Sequence, residues 1–521
     1  MSQNAKKNPE QLGQDTTGQK TELKLVGANS EHSSGGPFAK FLTNRSEEDP
    51  WKKETKEDFL YERKGPWPQP SPEHPMGQAP AVVHVPKIEN MQFFKCIGIR
   101  YLWQTIAYTP TSFVQGLLKP GLEPVSDEEF VDILSGTIFA KLIKNEFDKK
   151  DLEIFGQFMS DDKKYCLVDM EAVKGIETFP DQYLSASKTL LIDHGDFKYE
   201  VAAISVYKSR DVFVPNDGDA WKLAKYYALQ GAALVTTLLE HPLVHFPYDA
   251  INAVTKTAIP KDHILFRLIF PHTFLTLPLE NAVLEGANSI ISDKTYLPYT
   301  LYPGPGPQLK KMLVKGYMGI RGNDSYPKFT YPKQPRKPLS RYDVYLNEYF
   351  DEIYKFVDNI LKDLDRNDHY VGVWAKYLTQ FIPGFPDEKE ISQGDNLVRA
   401  VAIYIWTVTV NHSVDHYNYG FLNLRKVPMR LRVAPPKKGM KLPPLRQLNN
   451  WIDFGKYNLA NIMFYKSLTV APLMEANYEF DEKGAKYLQE FRNNLIELDK
   501  KFTREGMNFM PLSKIGVSVQ F

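Results

Sequence analysis

Six of the eleven histidines fall in two short stretches: His241, His245, His263 and His272 in one, His412 and His416 in the other. Two pairs share a spacing, His241-Pro-Leu-Val-His245 and His412-Ser-Val-Asp-His416. On an α-helix, residues four apart lie one turn above each other on one face, so each pair can aim two imidazoles at one point. Both pairs sit in apolar surroundings, ALVTTLLEHPLVHF and AVAIYIWTVTVNHSVDHY, which predicts buried rings. A buried imidazole is either a hydrogen-bonded core residue or a ligand. Four of them together could supply four nitrogens to one ion, and imidazole suits Zn, Fe, Cu, Ni and Mn. Structural zinc sites typically use thiolates, and neither Cys96 nor Cys166 lies in these stretches. The pattern therefore favours a catalytic or redox metal over a structural one. Pro242 removes a backbone donor and disfavours helical backbone at His241, so the helix is expected to start or kink there.

Such side chains need long, apolar helices to hold them. Amphipathic or apolar runs predict helices over Glu128–Asn145, Trp221–Leu239, Tyr342–Leu364, Leu397–Asn411 and Ala485–Phe502. The exception is Thr189–Ser209, where two β-rich runs flank His194-Gly195-Asp196, a turn composition that predicts a hairpin. The fold class read from this pattern is mainly α, a large helical domain over 87–521 with a small β-hairpin region. Residues 1–50 are poor in apolar side chains and predict a disordered tail. In 51–86 the prolines are too dense for a helix or inner strand, which predicts an extended arm. The stretch 427–446, VPMRLRVAPPKKGMKLPPLR, mixes basic residues with proline and reads as a solvated loop or a binding patch.

Lys plus Arg number 64 against 63 Asp plus Glu, a formal charge of +1, which offers nothing to a polyanion such as nucleic acid. Two cysteines are too few for a disulfide-stapled fold and point to a reducing compartment. The first twenty residues lack the apolar core of a secretory signal, and no later segment reads as a bilayer span. The expectation is a cytoplasmic protein, of unknown oligomeric state.

In order and spacing the chain resembles the lipoxygenases. VFVPNDGDAWKLAK (212–225) is similar to the family's proline-containing loop leading to a Trp-x-x-Ala-Lys helix start, and the hairpin before it fits. Asp249 stands where the family has an acidic residue, while His263 and Pro271-His272 resemble its His-Pro and Pro-His landmarks. IWTVTVNHSVDHYNYG is similar to the second metal helix, and KIGVSVQF resembles the tail whose last carboxylate binds the metal. The first pair has three intervening residues, as in the fungal, manganese-containing branch. The resemblance covers about 165–300, 395–425 and the final residues. It departs from the pattern at Phe521, where Ile or Val is usual, at Thr257 in place of an arginine, and at Ile264, which follows His263 in place of proline.

The resemblance implies a lipoxygenase-like helical catalytic domain without the N-terminal β-sandwich of plant and animal members. It implies one Fe or Mn per chain, held by His241, His245, His412, His416 and the carboxylate of Phe521. No side chain beyond the metal-bound hydroxide would be catalytic. The implied activity is insertion of O2 into a polyunsaturated (1,4-diene) fatty acid or related lipid to give a hydroperoxide. The alternatives are an isomerase or oxygenase of the same fold acting on a hydroperoxide or specialised metabolite, and a non-catalytic homologue.

Overall fold

The computed structural model describes residues 87–521 apart from 285–287, 292–293, 320–328, 332–334, 380–381, 467–468 and Phe521. The expected tail (1–50) and arm (51–86) lie outside the described residues, as does the expectation that no β-sandwich precedes Lys87. Within them the protein is mainly α-helical, with one five-stranded antiparallel sheet.

The helices that matter here are α1 (Lys87–Phe93), α2 (Ile99–Leu118), α3 (Asp127–Ser135), α4 (Asp219–Val235), α5 (Asp249–Ala258), α6 (Thr276–Leu284), α7 (Arg341–Leu361), α8 (Asn396–Trp406), α9 (His412–Phe421), α10 (Trp451–Ala460) and α11 (Glu482–Glu505). Side-chain caps fix several starts. The Ser126 hydroxyl accepts from Glu129 N and that of Ser340 from Asp343 N, each satisfying an amide the first turn leaves open. α4 is buried along almost its whole length, and its buried polar side chains are paired, Lys225 with Asp127 and Gln230 with the carbonyls of Tyr183 and Met429. Gly231 brings α4 to the sheet side: a Cβ there would lie 3.0 Å from Cβ of Met170.

The sheet runs β1 (Ile143–Lys144), β2 (Lys164–Asp169), β3 (Ser187–Asp193), β4 (Tyr199–Val206) and β5 (Asp211–Phe213), each beside its sequence neighbour. β3 and β4 are the predicted hairpin, with register Ser187 to Val206 and a bulge at Leu190/Leu191. Its turn places Gly195, Asp196 and Phe197 at positive φ. Alternation along β2 splits the core. Cys166 and Val168 join the main cluster, while Tyr165 and Leu167 join Phe155, Leu190 and Ala203 on the other face.

The predicted helices at 221–239, 342–364 and 485–502 are present within a few residues. The one at 128–145 is shorter. It ends at Gly136, and a 3-10 turn (Ile138–Leu142) and β1 follow, because Thr137 caps a new turn by accepting from Phe139 N. The reading that no segment is long and apolar enough to span a bilayer also needs correction. Asn396–Phe421 forms one 26-residue helix that passes on length and composition, but 83% of its apolar window is buried inside the protein. It is a core helix, and its hydrophobicity serves packing around the site.

Candidate metal centre

The two histidine pairs meet. One ligating atom from each of His241, His245, His412 and His416 lies within 4.8 Å of the others, and all four residues are buried. His272 and His263 stand elsewhere. His263 caps the helix Ile264–Ile269 by accepting from Leu265 N, and its other nitrogen is 3.2 Å from Asp368. His272 bridges the Val517 carbonyl and the Tyr478 hydroxyl, each at 2.7 Å.

Each pair follows a five-residue π turn. α4 passes through Thr236–Glu240 into a 3-10 turn at His241–Val244, and α8 passes through Thr407–Asn411 into α9. A π turn adds a residue to the helical phase, which rotates the side chains that follow. The break expected at Pro242 is therefore real, but His241 itself keeps right-handed helical backbone, φ −64° and ψ −38°, and the path changes around it. His412 and His416 share one α-helical face, as the spacing predicts.

The hydrogen bonds settle which nitrogens face inward. Nδ1 of His416 lies 2.7 Å from the Phe464 carbonyl, which can only accept, so this nitrogen carries the proton and Nε2 is bare. Nδ1 of His241 lies 3.2 Å from Oδ2 of Asp415. The other oxygen of Asp415 accepts from Lys141 Nζ at 2.5 Å and from the Tyr342 hydroxyl at 2.8 Å, so the carboxylate is a ready acceptor for His241 as well. Nδ1 of His245 is 2.8 Å from Oε1 of Glu280. Burial pushes the Glu280 carboxyl well up, and it pushes Asp249 up too, with Glu280 adding to the effect.

On the inner side, Nε2 of His241 is 2.9 Å from Nε2 of His416 and 2.7 Å from Nε2 of His245. Burial lowers all four imidazoles. His245 and His416 fall to about 3, and His241 and His412 go well below the usual range, with neighbouring imidazoles adding to the effect of burial on His241, His412 and His416. At neutral pH the rings are uncharged, the form in which imidazole is a ligand. The facing lone pairs of His241 and His416, whose Nδ1 atoms hold the protons, repel unless a cation lies between them. The residues present thus fit a bound metal, with Asp415, Glu280 and the Phe464 carbonyl fixing the ring orientations from behind.

A cavity of about 660 Å³ opens from this centre. His241, His245 and His416 line it together with Glu280 and Thr237, and Leu238, Phe246, Leu279, Val283, Leu313 and Phe464 are among the apolar side chains of its walls. That volume falls within the roughly 300–1,000 Å³ of small-molecule sites.

The C-terminal run reaches the same region from below. Residues Ile515–Gln520 are buried. Gly516 N donates to Oγ of Ser413, the neighbour of His412, at 2.9 Å, and the Ser518 hydroxyl donates to Phe274 O. The Gln520 side chain accepts from Val470 N and Ala471 N and donates to Ala471 O. The run is threaded into the core. The expected fifth ligand, the Phe521 carboxylate, lies outside the described residues.

Solved structures share this arrangement of elements. A calcium-dependent 11R-lipoxygenase superposes with a TM-score of 0.62 at 16% identity over 76% of this chain and 66% of its own. A manganese lipoxygenase of Gaeumannomyces graminis gives 0.62 at 14% identity over 83% of this chain and 91% of its own. This chain adopts the lipoxygenase fold. A lipoxygenase in complex with arachidonate gives 0.61 at 14% identity, covering 83% of this chain and 75% of that one. The chain thus spans about two thirds of the first of these lipoxygenases and more of the others. No family model and no curated protein sequence matches the chain.

Asp415 and Glu280 were not singled out from the sequence. Asp415 stood inside the quoted His-Ser-Val-Asp-His run, where an acid one residue before a ligand was the available signal. Glu280, in the apolar run LTLPLENAV, offered only the oddity of a carboxylate at a core position.

Proposed function

We propose that the protein is a lipoxygenase-type dioxygenase. It binds one Fe or Mn through His241, His245, His412 and His416, with the Phe521 carboxylate as fifth donor, and converts a polyunsaturated 1,4-diene lipid and O2 to a conjugated hydroperoxide. The observation that carries this reading is the convergence of four buried imidazoles, three of which line a largely apolar cavity. Bound there, such a metal supplies the one-electron chemistry that a doubly allylic C–H bond requires.

The chain's own residues set the conditions. Asp415 and the Phe464 carbonyl hold Nδ1–H of His241 and His416, so Nε2 of each stays turned inward. Leu238, Leu279, Val283 and Leu313 favour a hydrocarbon chain and exclude water from the reacting carbon. The lipoxygenase with arachidonate bound supports an acyl chain as occupant. All atoms of the diene and of O2 are retained in the hydroperoxide, so no further reductant is needed.

The test is oxygen uptake by metal-loaded protein with a panel of C18 and C20 polyunsaturated acids, followed by ultraviolet absorbance of the conjugated diene. Uptake matched by diene formation supports the reading. A metal-loaded protein silent with every acid but able to rearrange their hydroperoxides would replace it with the isomerase.

A further inference from the structure

The helix that borders the cavity also carries an apolar face toward solvent. From Tyr101 to Leu118, α2 has no charged residue. One side of it serves the interior: Tyr101, Leu102 and Thr105 line the cavity, while Gly116 and Phe113 pack closely on α10 at Trp451 and Gly455. The opposite side is left uncovered by the described residues. Trp103, Ile106, Val114 and Leu117 are 65%, 58%, 51% and 60% exposed. They recur at three-, eight- and three-residue steps with Pro110 between, which places them along a single stripe of an α-helix. Phe94 and Met91 extend this apolar exposure before α2, and Trp451 and Ile452 of α10 add to it at the side. A contiguous apolar surface of this kind marks a place where something binds.

The charges at its ends are basic. Lys95 precedes the stripe and Lys119 follows it. At the C-terminal end the backbone of Leu445 and Arg446 lies against the chain after α2, with Leu122 N donating to Leu445 O at 3.2 Å. Arg446 is exposed there. It belongs to the basic, proline-rich stretch 427–446, for which the sequence left a binding role open. The acidic Glu123 nearby is engaged by Arg425 and Asn423.

We propose that this face docks on an anionic phospholipid bilayer: the α2 stripe lies in the boundary between headgroups and acyl chains, and Lys119 and Arg446 meet headgroup phosphates. A helix with an uncharged apolar face and cationic ends matches such an interface in both hydrophobicity and sign. Trp103 is a side chain suited to headgroup depth. Leu102, 60% exposed and yet part of the cavity wall, links the docked surface to the cavity, so a lipid chain can pass under α2 without crossing bulk water. The docking surface stands on its own exposure and charge; only the delivery of an acyl chain rests on the proposed function.

The experiment uses the full chain and needs no turnover. Co-sedimentation is measured with mixed phosphatidylserine–phosphatidylcholine vesicles and with pure phosphatidylcholine vesicles. The wild type should bind the mixed vesicles more tightly, and the Trp103→Ser/Ile106→Ser/Leu117→Ser triple variant should bind roughly tenfold more weakly or less, with unaltered circular dichroism, melting temperature and metal content. Lys119→Glu/Arg446→Glu should remove the preference for phosphatidylserine while leaving the fold intact. Absence of wild-type binding to either vesicle overturns the proposal. So does binding undiminished in the triple variant, the outcome expected if residues 1–86 cover the stripe. A wild-type dimer that the triple variant dissolves, with no vesicle binding by either, would make a second copy the occupant and equally overturn it.

Discussion

Nε2 of His241 lies 2.9 Å from Nε2 of His416, although 174 residues separate the two in the chain and neither nitrogen has a proton to offer the other. Two elements, each broken by a π turn, are packed to bring about a contact that is repulsive by itself. The structure spends buried apolar area on α4, α8 and α9 to hold it, and a cation among the rings would make the arrangement favourable.

Asp415 orients His241 while being itself held by Lys141 and Tyr342. Asp415→Asn should raise the metal dissociation constant by roughly 10–100-fold, the usual effect of losing a partner behind a ligand. Competition with a chelator measures it. An unchanged constant would show that His241 is positioned by packing alone.

Metal-free protein should lose stability as the solution is acidified. His245 and His416 have folded-state values of about 3, depressed from the ordinary 6.5, so between those limits the unfolded chain takes up protons that the folded chain refuses. Protonation therefore favours unfolding, and the loss begins near pH 6.5 and continues toward about 3. Denaturant midpoints of the metal-free protein across that range check the sign. In the His245→Gln/His416→Gln variant the slope over this window should shrink.

Much of this was legible in the sequence, for identifiable reasons. The pairing of His412 with His416 follows from helical periodicity, and the burial of both pairs follows from the apolar runs around them. The β3–β4 hairpin followed from Gly195 and Asp196 between β-rich stretches. β1 and β5 were not legible because they are only two and three residues long, too short for an alternating pattern to show. The path around His241 was half legible: Pro242 announces a break, but nothing local encodes a π turn upstream of it. Asp415 and Glu280 become meaningful only once α4 and α6 stand beside α9, since their targets are the imidazoles of other segments.

The buried terminus gives a further prediction. Gln520→Leu leaves the amides of Val470 and Ala471 without their acceptor, a cost on the order of 1–3 kcal/mol for each. A lowered melting temperature would register it. A peptide tag appended after Phe521 should reduce metal content and activity, whereas one placed before Met1 should not. A C-terminally tagged protein with normal metal content and turnover would remove Phe521 from the ligand set and leave the four histidines.

The measurement that bears most directly on the whole account is the metal content of the purified protein and of its His241→Ala and His412→Ala variants, by elemental analysis after gel filtration. The account predicts one Fe or Mn per chain in the wild type and a steep loss in both variants while the protein remains folded. A wild type free of either metal after expression with both supplied, or variants that keep the full complement, would contradict it.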